Sequence, residues 1–156
     1  MPATAAPDAD LLALDRQVCF ALAVASRRVI GLYRPLLEPM GLTHPQYLVM
    51  LSLWQQEASS VRSLSEQLSL EPATLSPLLK RLEAIGYLTR TRDSEDERTL
   101  RVALTPAGRA LREQALNIPP AIMDRLGMDR AELEDLHTIL TSVIARTRTV
   151  EDHEPA

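Results

Sequence analysis

Two groups of residues in this 156-residue sequence are of a type and spacing that can do chemistry. Arg90, Arg92, Arg98 and Arg101 fall close together. A guanidinium is the side chain best suited to bidentate phosphate contacts and to insertion in a narrow minor groove. The second group is a single residue. Cys19 is the only cysteine, so it has no internal disulfide partner and is either packing material or a reactive thiol. By residue type alone, a small buried hydrophobe is the simpler reading of Cys19. His137 and His153 stand far apart with no neighbouring cysteine or paired histidine, so no metal site and no cofactor are expected.

The arginines must be held by something. Tyr87 to Arg92 and Thr99 to Leu104 each alternate with period two around a charged tip, which predicts a β-hairpin. Just before it, Pro72 opens a helix that Gly86 ends. Leu75, Leu78, Leu79, Leu82 and Ile85 form its apolar face, while Ala73, Thr74, Ser76, Pro77, Lys80 and Arg81 form its polar face. Small hydroxyl residues early in a helix can approach base edges, and Lys80 and Arg81 can reach phosphate or guanine. Alone, that face reads more simply as solvated; the basic hairpin beside it shifts the balance towards DNA. The tip, Asp93-Ser94-Glu95-Asp96-Glu97-Arg98, is too acidic for a plain phosphate clamp. Asp96 is therefore expected to pair with Arg98 or a neighbouring arginine, fixing the tip and leaving one guanidinium for DNA.

The remaining elements follow from spacing. An apolar stripe from Leu11 to Leu36 predicts one long first helix from about Ala9, stopped by Pro35, Pro39 and Gly41. Thr43 and Gln46 form a capping box for a second helix to about Glu57, and Ser63 with Glu66 another for a short helix, Leu64 to Leu68. Thr105-Pro106 begins a helix to about Asn117 that Ile118-Pro119-Pro120 breaks, and Asp129 caps a last amphipathic helix carrying Leu136, Ile139, Val143 and Ile144. Aromatic residues are only 3% of the chain and apolar residues 46%, a composition that favours packed helices. The expected fold class is mainly α (α+β), a winged helix-turn-helix with long N- and C-terminal dimerisation helices. The net charge of −4 speaks against nucleic acid until it is mapped. Positions 62–112 carry nine basic against seven acidic residues, net +2, leaving −6 for the rest. No apolar run is long enough to span a membrane, and positions 1–9 lack the features of a secretory signal, so a cytoplasmic protein is expected.

Asp96-Glu97-Arg98 followed by Val102-x-Leu104-Thr105-x-x-Gly108 resembles the wing signature of MarR-family regulators, and Leu75 to Gly86 resembles their recognition helix. Within the family, Cys19-Phe20-Ala21-Leu22, Leu32 to Leu37 and Pro45 to Met50 are similar to the organic hydroperoxide sensors of the OhrR type. The resemblance implies a peroxide-sensing role for Cys19 and a thiol-positioning role for Tyr33. Two positions depart from the pattern: His44 stands where a second thiol-contacting tyrosine is usual, and Ala23 replaces a further tyrosine. His44 can donate a hydrogen bond, favour the thiolate as imidazolium, or simply be a surface residue of the second helix.

Ionised sulfur needs donors or positive charge nearby, for which Tyr33, Arg34 and Arg16 are candidates. Cys19 and Tyr33 are fourteen positions apart, roughly 21 Å along a straight helix. They cannot meet within one chain, so the tyrosine is expected from the other subunit. With no second thiol in the chain, oxidised Cys19 would be resolved by a low-molecular-weight thiol, a backbone nitrogen or the matching Cys19, or else be overoxidised.

The expected organisation is a tail at 1–8, a single domain at 9–150 and a tail at 151–156. Within the domain, 9–42 and 106–150 serve mainly dimerisation and 43–105 binds DNA. The resemblance implies a homodimeric repressor of a pseudo-palindromic double-stranded operator that is released by organic hydroperoxide. A second reading keeps the repressor but releases it with a phenolic or aromatic acid bound between dimer helices and winged head. A thiol peroxidase is disfavoured because no catalytic set surrounds Cys19, and a helical adaptor that ignores DNA is the blandest alternative.

Overall fold

The computed structural model describes residues 11–96 and 98–151. It is mainly helical, with one three-stranded antiparallel sheet, as the fold class anticipated.

The first helix starts later than its apolar stripe. Leu14–Arg16 is a 3-10 turn, Gln17 is extended, and only then does α1 run, Val18–Leu37. The Gln17 side chain donates to the carbonyls of Leu11 at 2.7 Å and Ala13 at 3.3 Å. Spacing carries on across this break, which is why periodicity alone extended the helix; positions 9 and 10 lie outside the described residues. Pro35 does not stop α1 either. It sits within the last turn, where its fixed φ is helical and only one hydrogen bond is forfeited. The chain turns instead at a 3-10 segment, Glu38–Met40, closed by Gly41 at φ 70°.

In α2, His44–Gln56, the Gln46 side chain accepts from the Thr43 N–H at 2.9 Å, as the capping box requires. A strand the sequence did not reveal follows, β1, Ala58–Ser60, too short to show alternation. Ser60 rather than Ser63 caps α3, Val61–Leu68, by accepting from the Ser63 N–H at 3.0 Å. Glu66, expected to complete a capping box, pairs with Arg62 one turn away at 3.2 Å. α4 occupies Pro72–Ile85 and ends at Gly86 with φ 96°. Leu75, Leu79 and Leu82 are buried, but Ile85, counted on the same face, is 39% exposed.

The hairpin consists of β2, Leu88–Arg92, and β3, Leu100–Leu104, in register from Leu88 opposite Leu104 to Arg92 opposite Leu100. β1 pairs with the free side of β3, Ser59 opposite Val102, so β3 is central. An isolated two-stranded ribbon is marginal; the third strand and the helices beneath supply its support. Thr105 caps α5, Pro106–Ala115, by accepting from the Gly108 N–H at 3.1 Å.

By its internal contacts the chain divides into a unit up to Ile118 and a second unit from Pro119. The core of the first is Leu37, Val49, Met50, Leu53, Leu64, Leu75, Leu79, Leu82, Leu88 and Val102, all at most 1% exposed. The second unit holds most of α6, Ile118–Leu126, and α7, Arg130–Glu151. Pro119 and Pro120 do mark the break after α5, but they fall in the first turn of α6, where their missing N–H groups cost nothing. Asp129 caps α7 reciprocally, accepting from the Glu132 N–H at 2.9 Å while Glu132 accepts from the Asp129 N–H at 2.8 Å.

Candidate nucleic-acid interface and thiol site

In α4 the buried leucines turn the opposite face outward, and Ala73, Thr74, Ser76, Pro77, Lys80 and Arg81 are all exposed. Pro77 lies inside the helix and has no N–H to close on the Ala73 carbonyl.

Asp96 fixes the tip of the wing, as expected, but its partners differ from those expected. One carboxylate oxygen accepts from the Arg98 backbone N–H at 3.0 Å, the other from the Thr99 hydroxyl at 3.1 Å. Two backbone bonds, Asp93 N–H to Thr99 carbonyl at 2.8 Å and Thr99 N–H to Asp96 carbonyl at 2.9 Å, complete the turn. Backbone N–H groups are pre-positioned by the turn, whereas an exposed guanidinium would lose side-chain entropy for little gain. Arg98 therefore keeps an exposed side chain, and Arg92 and Arg101 are exposed as well.

Arg90 behaves differently from its neighbours. Its guanidinium reaches back to Glu83 near the end of α4, Nε to Oε2 at 3.1 Å and Nη2 to Oε2 at 2.8 Å, and its backbone N–H donates to Oε1 at 3.1 Å. Only 24% of the Arg90 side chain is exposed. Expected as a DNA contact, Arg90 has its guanidinium engaged by Glu83, because period two places it on the inner strand face with buried Leu88.

Cys19 is exposed, the second residue of α1. It lies in a first turn whose N–H groups lack helical partners. Tyr33 and His44 are brought together. Their rings meet edge to face at 4.9 Å, Tyr47 lies 5.9 Å from Tyr33, and Trp54 meets Tyr47 edge to face at 6.3 Å. Burial raises the pKa of Tyr33, and that of Tyr47 for the same reason with a smaller contribution from Tyr33; both phenols keep their protons as donors. Burial lowers the pKa of His44. Its neutral form is thus favoured in this setting, against the imidazolium alternative. Trp54 and Tyr47 serve the core: the Trp54 indole donates to the Gly108 carbonyl at 2.9 Å, and Tyr47 is 4% exposed.

Beside His44 opens a cavity of about 570 Å³ lined by Ile30, Arg34, Leu42, Thr43, His44 and Arg81 among others. Arg81, read from the sequence only as a DNA contact, also borders this space. Among the described residues no group of three or more His, Cys, Asp or Glu side chains is arranged to hold a metal ion.

The MarR family matches residues 42–100, from the turn before α2 to the start of β3. The organic hydroperoxide resistance transcriptional regulator of Bacillus subtilis is 40% identical over 141 residues, 90% of this chain and 94% of that protein. Among solved structures, reduced AbfR bound to DNA, a protein of Staphylococcus epidermidis, superposes with a TM-score of 0.78 at 30% identity, covering 90% of this chain and 96% of that one. Disulfide-formed AbfR superposes with a TM-score of 0.61, at 30% identity over 92% and 96%.

The chain belongs to the MarR family. It is a DNA-binding transcriptional regulator with the winged helix-turn-helix fold of that family.

Within this MarR-family chain, sequence reasoning overlooked Glu83 and Tyr87. An acid in the last turn of a basic helix is unfavourable beside the helix dipole, which marks Glu83 as a residue in need of a partner; that the partner is Arg90, seven positions on, depends on how the strand packs against the helix. Tyr87 was not. Its hydroxyl donates to the Met40 carbonyl at 2.8 Å, tying the start of the wing to the turn between α1 and α2, a contact across 47 positions that no local pattern announces.

Proposed function

We propose that this regulator is a homodimeric repressor that holds a pseudo-palindromic operator while Cys19 is reduced and releases it when an organic hydroperoxide oxidises that thiol. The observation that carries the reading is the exposure of the sole cysteine at the start of α1, while Tyr33, against which His44 of α2 packs, sits fourteen positions along the same helix. That distance is roughly 21 Å, so the phenol and imidazole that assist a given sulfur belong to a second copy. The exposed Leu14, Val18, Phe20 and Leu22 around Cys19 supply apolar surface for that copy to cover.

In the first step the Cys19 thiolate attacks the outer peroxide oxygen. The O–O bond breaks, the sulfur becomes a sulfenic acid, and the alkoxide leaves as an alcohol after taking a proton. Tyr33, protonated, is the hydrogen-bond donor proposed for the thiolate, with neutral His44 setting its ring. A low-molecular-weight thiol or the matching Cys19 then displaces water from the sulfenic acid to form a disulfide. For DNA, Thr74 and Ser76 face base edges, Lys80 and Arg81 reach phosphate or guanine, and Arg98 enters the minor groove beside a half-site. Two half-sites about 34 Å apart set the spacing the dimer must keep.

The cavity beside Arg34, Arg81 and His44 favours a second reading, release by an aromatic acid held there. One variant separates the two. Operator binding of Cys19→Ser should be insensitive to cumene hydroperoxide while the wild type loses at least about tenfold in affinity. Intact mass should show an added oxygen or a thiol adduct on Cys19. A serine variant that still lets go on peroxide treatment would remove the redox reading and leave the ligand one.

A further inference from the structure

We infer that Arg90 is a positioning residue: with Glu83 it clamps the base of the wing to the end of the recognition helix, and so sets where Arg98 meets the DNA. Three hydrogen bonds run from one residue to one carboxylate, through Nε, Nη2 and the backbone N–H, at 3.1, 2.8 and 3.1 Å. Because the backbone N–H takes part, the carboxylate grips the strand itself as well as a flexible side chain. Both carboxylate oxygens are engaged, and the bonds from Arg90 hold the Glu83 carboxyl below the usual glutamate range.

The location gives the clamp its leverage. Glu83 lies in the last turn of α4, Gly86 reverses the chain at φ 96°, and β2 begins two residues later. That short connection leaves the angle between helix and strand to be set by contacts. Leu88 anchors the first residue of β2 in the core at 1% exposure, and Arg90 is the next residue on the same face. Beyond it the hairpin projects to its exposed tip. At about 3.3 Å per residue the tip lies on the order of 12 Å past Arg90, so a tilt of about 10° at the base shifts it by about 2 Å. Hydrogen bonds in a groove do not survive such a shift. An arginine turned outward to phosphate would leave Glu83 unpaired at the negative end of its helix and close to a polyanion. The pair is neutral in total and adds nothing to the charge that attracts DNA.

The test uses the reduced full-length protein and DNA from its own upstream region. Arg90→Gln should weaken binding about tenfold without changing the slope of log affinity against log salt, because no phosphate contact is removed. Glu83→Ala should weaken binding in the same direction, although it takes a negative charge away from DNA. In both variants, hydroxyl-radical protection of the minor groove beside each half-site should fade while guanine protection in the major groove persists. The double variant, Glu83→Ala with Arg90→Gln, should bind no more than about threefold more weakly than either single variant, because both substitutions break the same clamp. A slope reduced by about 0.9 in Arg90→Gln, or tighter binding by Glu83→Ala, would make Arg90 a phosphate contact and overturn the inference. Unchanged wing protection in both single variants, or losses that simply add in the double variant, would overturn it equally.

Discussion

At the scale of single residues, the charge state of His44 has a measurable consequence. Burial against Tyr33 lowers its pKa, so between the lowered value and the ordinary one near 6.5 the unfolded chain binds a proton that the folded chain refuses. Folding stability contributed by His44 is present above the ordinary histidine range and is lost as pH falls through it. Urea denaturation at pH 7.5 and 5.0 should show the wild type losing stability on acidification and His44→Gln losing less. Equal losses would mean that this imidazole is not buried in the working dimer. The same residue bears on sensing: a neutral imidazole can hold the Tyr33 ring in place, but it brings no positive charge to a thiolate.

At the scale of elements, the wing and α5 are joined through one glycine. Gly108 is buried, and a Cβ at that position would run into the Tyr87 carbonyl oxygen. That oxygen accepts from the Thr105 N–H at 3.1 Å, and the Gly108 carbonyl accepts from Trp54 at 2.9 Å. Strand start, helix cap and the α2 aromatic thus converge within one turn, which explains why a glycine belongs three residues after Thr105. Gly108→Ala should cost about 3 kcal/mol or more, since backbone rather than a flexible side chain would have to move. Thermal melting and DNA titration of the variant should both show the loss; a melting temperature within a degree or two of wild type would mean that the turn is looser than described.

For the whole molecule, the apolar surface left on a single chain calls for a partner. Leu14, Val18 and Phe20 at the N-terminal end are 62%, 71% and 41% exposed, and Ile139 and Ile144 of α7 are 62% and 51% exposed. Phe20→Asp or Ile139→Asp would place a charge in the surface proposed to receive a second copy. Sedimentation velocity at micromolar concentration should then report monomer where the wild type is a dimer. Operator affinity should fall by at least about 100-fold, because the second half-site no longer binds intramolecularly. A dimer that survives both substitutions would move the interface elsewhere. The net charge of −4 is no obstacle to operator binding, because its acidic excess lies outside positions 62–112.

How much was legible beforehand depended on the range of the interaction involved. The caps at Thr43, Thr105 and Asp129, the start of α4 at Pro72, the glycine turn at Gly86 and the alternating strands were readable because each rests on groups a few positions apart. The polar face of α4 was readable for the same reason, as its complement is a leucine stripe. β1 and α6 were not: three residues of strand carry no period, and paired prolines serve equally as a helix break and a helix start. The fate of each arginine was also beyond local pattern. Arg90 and Arg98 are the same residue type in the same hairpin, and what separates them is the carboxylate that the end of α4 brings beneath the strand. The sequence alone determined most of the helix and strand segments and that one thiol exists. Only the tertiary structure decided which charges are spent within the protein, because the distance between groups far apart in the chain is set by packing and not by spacing.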